Sequence, residues 1–395
     1  MAAYEGPIQT AIYTFPFLAF AISFIFIIYE YRKYGTFLFR RAVILYSFIF
    51  YLLCAYFLVI LPLPSREEVA KYTSQIIELR PFYTVVRFLD QTKLVIGEPS
   101  TYLPALKQGV VLEPVFNILL LVPFGMYLRY YFGLTFKKVV LYSFLLSLFF
   151  ELTQLSGLYF IYPRPYRLAD VNDLMNNTLG GMIGFLFTPL FTFLLPTRAE
   201  IDEAAYKKGQ QVTLFRRFVA FTIDWISIFI LEGCINIILR LIPSYRIWDN
   251  QVQFSGSRFW YFLMVFLVFM VLPAVANGQT LGKKIVKIRI VSEDGSSVRF
   301  RSLILRYGYF YYVFGLISLY LSSSAQWLNS NNRMLQLISF ILTLFCGLLF
   351  LLFFLNIGYA FFKKNRRLFY ERASHTYTAS TIAREEKFRK SGESE

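Results

Sequence analysis

Histidine and cysteine are nearly missing from this chain. Its 395 residues include one histidine, His375, and three cysteines, Cys54, Cys234 and Cys346. The histidine lies in a charged C-terminal stretch, so serine–histidine and cysteine–histidine catalysis have no histidine within the apolar part of the chain. All three cysteines fall inside apolar runs, which argues against a disulfide scaffold and against a structural zinc site. Charge is scarce too. Only 16% of residues are Asp, Glu, Lys or Arg, against about a quarter in soluble domains. A soluble fold needs more polar surface than this, and a disordered chain needs far less apolar content.

What fills the gap is apolar and aromatic. Hydrophobic residues make up 57% of the chain, with 45 Phe and 29 Tyr, a composition suited to an exterior that faces lipid with rings gathered at the two interfaces. The net charge of +16 does not form the single stripe that nucleic acid would require. It sits in short clusters between apolar runs, as expected beside anionic membrane lipids.

Apolar runs of roughly 18 to 25 residues cross the hydrocarbon layer as helices. The pattern predicts nine of them, over 9–30, 41–61, 110–131, 138–157, 172–195, 216–241, 258–276, 302–322 and 335–361. The expected fold is therefore an all-α polytopic membrane protein. The first run has no basic residue ahead of it and is too long for a signal-peptide core. Lys and Arg crowd every second connection: Arg32, Lys33, Arg40 and Arg41; Arg129, Lys137 and Lys138; Arg198, Lys207, Lys208, Arg216 and Arg217; the cluster from Lys283 to Arg306; and Lys363, Lys364, Arg366 and Arg367. That alternation puts these connections in the cytoplasm, with the N-terminus outside and the C-terminus inside. The implied location is a bacterial cytoplasmic membrane.

Residues 196–213 form the most polar internal stretch and read as a cytoplasmic linker, dividing the chain into five helices (1–195) and four (214–382), with a charged tail at 383–395. Spaced apolar residues in 62–109 predict short amphipathic helices on the outer surface. The stretch from Lys283 to Ser292, followed by Glu293-Asp294-Gly295 and then Arg299 and Arg301, predicts a short cytoplasmic β-hairpin. Beyond about residue 362 only partial order is expected.

The main chemical signal is polar residues where they cost most. Ser147, Glu151 and Gln154 share one face of the fourth helix. Arg167, Asp170, Asp173, Asn177, Gly180 and Gly184 follow at steps of three and four, drawing a polar-then-small stripe down the fifth. Arg164 lies in the preceding loop, and Asn117 in the third helix, ahead of an expected break at Pro123-Phe124-Gly125. At a rise of about 1.5 Å per residue these groups reach similar depth. An ionisable group buried in a membrane is costly unless paired or hydrated.

Two accounts follow. In one, Asn117, Glu151, Gln154, Arg164, Arg167, Asp170, Asp173 and Asn177 meet in one outward-facing, water-accessible pocket. Its arginines would suit a phosphate, and its carboxylates a divalent cation such as Mg²⁺ or Ca²⁺. A polyprenyl-phosphate-linked or other anionic lipid would satisfy both. Were chemistry to occur, Glu151 would be the general base, with Asp170 and Asp173 holding charge or metal. In the other account Glu151 salt-bridges Arg164 or Arg167, Asp170 and Asp173 cap a helix, and the glycines let helices approach.

The residues Asn117, Pro123 and Gly125, then Ser147, Glu151 and Gln154, then Arg167, Asp170, Asp173, Asn177, Gly180 and Gly184 resemble the signature of the VanZ-like membrane family, over about residues 40–195. The resemblance implies a part in resistance to glycopeptide antibiotics, above all teicoplanin. It implies a process rather than a reaction, so whether the chain is an enzyme stays open.

A second resemblance covers about residues 212–382. Arg216, Arg217, Ala220 and Asp224, the run Asn277-Gly278-Gln279-Thr280-Leu281-Gly282-Lys283-Lys284, and Arg306 are similar to the RDD family of membrane domains. Tyr370 and Glu371 stand where that family usually carries a His-Asp pair. The run is no phosphate-binding loop, because its spacing differs and no Ser or Thr follows the lysine. Physically, Asp224 can pair with Arg306 or with Arg217. Alternatively Arg217, Asp224, Glu232 and Arg306, with Asn236, Arg240 and Asn356, form a polar track suited to ions or protons. Some members of the family resemble cation/proton exchangers, so transport through this half is the alternative function.

Overall fold

The computed structural model describes residues 2–242, 262–329, 332–362 and 367–382. Lipid offers no partner for a backbone N–H or C=O, so long apolar runs close their hydrogen bonds internally as helices. In chain order these are α1 (Ala2–Tyr34), α2 (Phe39–Ile60), α3 (Arg66–Ala70), β1 (Ile77–Glu78), α4 (Tyr83–Gln91), α5 (Tyr102–Leu106), α6 (Gly109–Tyr130), α7 (Phe136–Leu155), α8 (Gly157–Phe160), β2 (Ala169–Asp170), α9 (Val171–Thr192), α10 (Arg198–Gly209) and α11 (Leu214–Arg240). There follow α12 (Phe262–Val275), α13 (Leu281–Ile285), β3 (Ile288–Ser292), α14 (Phe300–Tyr307), α15 (Phe314–Leu328), α16 (Arg333–Phe362), α17 (Phe369–Ala373) and β4 (Thr376–Ser380).

The protein is a polytopic, almost wholly helical membrane protein. Six helices among the described residues are individually long and apolar enough to cross a bilayer: α1, α2, α6, α7, α11 and α16. Helix α9 has the length, at 22 residues, but Asn172, Asp173, Asn176 and Asn177 in its first half lower its hydropathy. Large side chains such as Phe17, Phe20, Leu186 and Phe354 are exposed, as lipid-facing surfaces require.

Two compact units divide the chain. One comprises Met1–Phe24 with Leu38–Glu203; the other, Ile25–Phe37 with the chain from Ala204 onward. The expected linker is mostly helical, as α10.

In the first unit α9 lies between α6 and α7. A Cβ placed on Gly180 or Gly184 would stand 2.0 Å from the carbonyl oxygen of Ile118 or Val122, and one on Gly125 2.0 Å from that of Gly181. The two helices thus meet backbone against backbone. On the other side, a Cβ on Gly181 would collide with Ser143 of α7. The break expected at Pro123-Phe124-Gly125 does not occur, since α6 is continuous to Tyr130. On the same stretch, Tyr51 Oη of α2 donates to the Leu120 carbonyl at 2.6 Å. Aromatic packing of Phe48 and Tyr51 against a cluster of Ala55, Leu121, Phe124 and Phe150 joins α2 to this group.

The 62–109 connection forms short helices, α3, α4 and α5, as its spacing predicts. Ser65 and Glu68 close a capping box on α3. Strand β1 pairs in parallel with β2, Ile77 with Ala169 and Glu78 with Asp170, which ties this connection to the start of α9.

In the second unit Phe269, Tyr307 and Tyr311 stack at the core, with Phe269 and Tyr311 centroids 4.4 Å apart. The turn at Glu293-Asp294-Gly295 forms, closed by Ser292 N–H on the Ser296 carbonyl at 3.1 Å and a single bridge from Val291 to Ser297. The ladder itself is built differently from a local hairpin. Strand β3 pairs antiparallel with β4, from Ile288–Ser380 to Ser292–Thr376. Residues 293–301 return to helix too soon to offer a second strand, so the segment expected to be only partly ordered supplies it. Lys363, Lys364, Arg366 and the 383–395 tail lie outside the described residues.

Replacing Gly180 by Val should destabilise the first unit by about 3 kcal/mol, because neither backbone can retreat. Thermal unfolding of the purified protein in detergent measures this. The Gly347→Ala control, whose added Cβ meets nothing within 4 Å, should unfold no earlier than the parent.

Candidate ligand cavity

The glycine contact has a chemical consequence. Drawing α9 against α6 and α7 turns its polar first half away from lipid, toward the N-terminal end of α6 and the C-terminal end of α7. A cavity of about 1190 Å³ opens there. Asn117, Glu151, Gln154, Arg167, Asp173 and Asn177 all line it. Much of the remaining wall is apolar, including Leu58, Leu112, Phe116, Leu119 and Phe150.

Inside the cavity the carboxylates are held by single, specific donors. Glu151 Oε2 accepts the Asp170 backbone N–H at 2.9 Å. Asn117 Nδ2 donates to Asp173 Oδ1. The second oxygens, Glu151 Oε1 and Asp173 Oδ2, take no hydrogen bond among the described residues, and both side chains are half-buried. Asn177 is buried, donates to Ser147 Oγ at 3.0 Å, and has no partner for Oδ1 among the described residues. Glu151 forms no salt bridge with Arg164 or Arg167.

Both arginines are committed to backbone instead. Arg167 donates to the carbonyls of Val59 at 2.8 Å and Leu61 at 2.7 Å, and Gln154 Nε2 adds a bond to Val59 at 3.1 Å. These carbonyls sit at the end of α2, where a helix leaves its acceptors unpaired. Arg164 lies away from the cavity and grips the carbonyls of Tyr72 and Ser74, the latter at 2.6 Å. Asp170 likewise does not line the cavity. Its carboxylate caps α9, accepting from Asn172 N at 2.8 Å and from Asn172 Nδ2 at 2.7 Å. Six of the eight expected residues therefore converge, while Arg164 and Asp170 build the frame.

Among the described residues, no three His, Cys, Asp or Glu side chains could hold a metal ion together.

Two charged cavity residues escaped the sequence reading. Glu113 stands one turn before Asn117 on α6 and lines the cavity, 3.4 Å from Arg87 of α4. The four-residue step from Glu113 to Asn117 was a visible signal. Nothing local marks Arg87, which reaches the cavity through the fold of the 62–109 connection.

In the second unit neither expected pair with Asp224 forms. Fully buried Asp224 binds the turn that opens α13 instead, accepting from Thr280 Oγ1 at 2.6 Å and from Gly282 N at 2.7 Å, with Lys283 Nζ 3.7 Å away. A side chain at residue 282 would collide with the Ala220 carbonyl and Asp224 Oδ1, so only glycine fits this grip. Arg217 and Arg306 converge on Glu371, at 2.7 and 2.8 Å, and Arg306 also binds Thr376 at 2.7 Å and Thr378 at 3.1 Å. Glutamate is long enough to reach both from α17. Arg216, fully buried, donates to the carbonyls of Gly209 at 2.7 Å, Val286 at 2.8 Å and Lys287 at 2.7 Å. Glu232 is half-buried; the side chains of Asn236 and Arg240 lie outside the described set, and Asn356 Oδ1 accepts from Phe369 N at 3.3 Å. Only about 70 Å³ of space adjoins Asp224, enough for a water or two.

Burial alone would raise the Glu371 carboxyl, but Arg306 and Arg217 more than offset it and hold it below its ordinary value of 4.5. A carboxyl lowered on folding stabilises the fold above its unfolded value and loses that contribution as pH falls through its folded value. Acid unfolding should therefore begin below about pH 4.5. Glu371→Gln should cost about 3–5 kcal/mol at neutral pH by leaving two arginines uncompensated, and should flatten the acid limb of unfolding followed by circular dichroism.

Comparison with known proteins divides the chain at the same place as its polar linker. Residues 48–192 match the VanZ/LLP1 family model, and residues 212–375 match that of the RDD family. No curated protein and no solved structure matches the chain.

Proposed function

We propose that this chain, whose residues 48–192 match the VanZ/LLP1 family model and 212–375 that of the RDD family, binds the polar head of an envelope lipid or cell-wall precursor in its first half and so lowers sensitivity to glycopeptides of the teicoplanin type. The observation that carries this reading is the cavity itself. It joins hydrogen-bonding groups from α6, α7 and α9 to an apolar wall, the pairing of surfaces that an amphiphile needs. Its volume of about 1190 Å³ is ample for a head group and the first part of a chain.

Charge placement supports an outward orientation. The cavity sits at the end of α6 and α7 remote from Arg129, Lys137 and Lys138. Basic connections face the cytoplasm, so the cavity faces the opposite side of a bacterial cytoplasmic membrane, where cell-wall precursors are used. Holding a head group there would alter what an external glycopeptide meets. The reading requires binding alone.

Teicoplanin susceptibility of cells carrying Glu151→Gln, Asp173→Asn or Arg164→Ala, at matched membrane levels, tests this, together with native mass spectrometry of co-purified lipid. The first two should lose most of the protection and most of the retained lipid. Arg164→Ala should lower thermal stability while keeping the lipid. Full protection and full lipid retention in both carboxylate variants would refute the proposal.

A further inference from the structure

The charged groups of the cavity do not balance. Arg167, the arginine from the α9 stripe, is committed to the Val59 and Leu61 carbonyls, and Arg87 stands by Glu113. Against these, Glu113, Glu151 and Asp173 line the cavity, giving its wall a formal charge of 2 − 3 = −1. Glu151 Oε1 and Asp173 Oδ2 accept nothing from the described residues, while their sister oxygens are already held. A carboxylate enclosed without an ion-pair partner is costly, and among the described residues no salt bridge reaches Glu151 or Asp173.

From this geometry we infer that the cavity selects a membrane amphiphile with a primary ammonium head, held by Glu151 and Asp173, rather than one with a phosphate head. The inference rests on the amphiphile reading above and names the chemistry of its head. An ammonium brings three donors and no acceptor, matching two open carboxylate oxygens. The buried Asn177 amide, whose Oδ1 has no partner among the described residues, also lines the cavity. A bare metal ion is a poorer fit, because no three such ligands converge among the described residues. An ammonium needs fewer ligands than a divalent cation does. A phosphate would bring a further anion to a wall whose formal charge is already negative, with Arg167 held by carbonyls and Arg87 beside Glu113.

The full chain in phosphatidylcholine nanodiscs at neutral pH offers a direct test with two probes of equal chain length, dodecylamine and dodecyl phosphate. Bulk electrostatics works against the inference, since a chain of net charge +16 attracts the phosphate. A preference for the amine can therefore come only from the local site. Dodecylamine should bind at least about 10-fold more tightly than dodecyl phosphate, and Glu151→Gln or Asp173→Asn should each weaken it about 10-fold. Unchanged melting temperatures for both variants without probe would show that binding, not folding, is read. Tighter binding of dodecyl phosphate, or equal binding indifferent to the substitutions, would overturn the head-group inference and leave the amphiphile reading standing. Failure of both probes to bind or to displace co-purified lipid would overturn both.

Discussion

Backbone contact between α6 and α9 is the constraint on which the first unit depends. Carbonyl oxygens of Ile118, Val122 and Gly181 lie where side chains on Gly180, Gly184 and Gly125 would have to be. Without that approach, a helix opening with Asn172, Asp173, Asn176 and Asn177 has no reason to stay in a membrane. With it, the polar turns of α9 are enclosed by α6 and α7, and their hydrogen bonds close on Asn117, Ser147 and the backbone. The apolar lower half of the same helix then meets lipid.

Arginine does the stitching in both units, by a shared logic. A guanidinium offers five donors in a fixed fork, and helix ends leave carbonyls unpaired where lipid cannot serve them. Arg167 covers the end of α2, Arg164 holds the 62–109 connection, and Arg216 gathers Gly209, Val286 and Lys287. Arg217 and Arg306 take a carboxylate instead, because Glu371 arrives from α17 with both oxygens available. That pair of bonds, with the β3–β4 ladder, makes the segment from Arg367 to Ile382 part of the fold.

Engaging arginines in this way decides the character of the cavity. Arg164 stays outside it, and Arg167 lines it with its donors turned to carbonyls, beside Arg87 and the carboxylates of Glu113, Glu151 and Asp173. The second unit repeats the lesson with Asp224. Its partners are the hydroxyl and backbone N–H of the Thr280–Gly282 turn rather than a neighbouring arginine, because the glycine at 282 brings that backbone within reach.

Hydropathy, charge alternation and small-residue spacing were enough to read a polytopic helical protein and a polar stripe running into Gly180 and Gly184. Those properties are local, since a twenty-residue apolar run must be helical in lipid whatever surrounds it, and i, i+3, i+4 spacing sets a shared face in any helix. Partnership was not legible. Whether Arg167 meets a carboxylate or a carbonyl, whether β3 pairs with its neighbour or with a strand almost ninety residues on, and whether Asp170 lines a cavity or caps a helix each depend on which backbone atoms the packed helices bring within about 3 Å. Hydrogen bonds are that short-ranged, and sequence distance carries no record of them, so the tertiary structure alone made these choices.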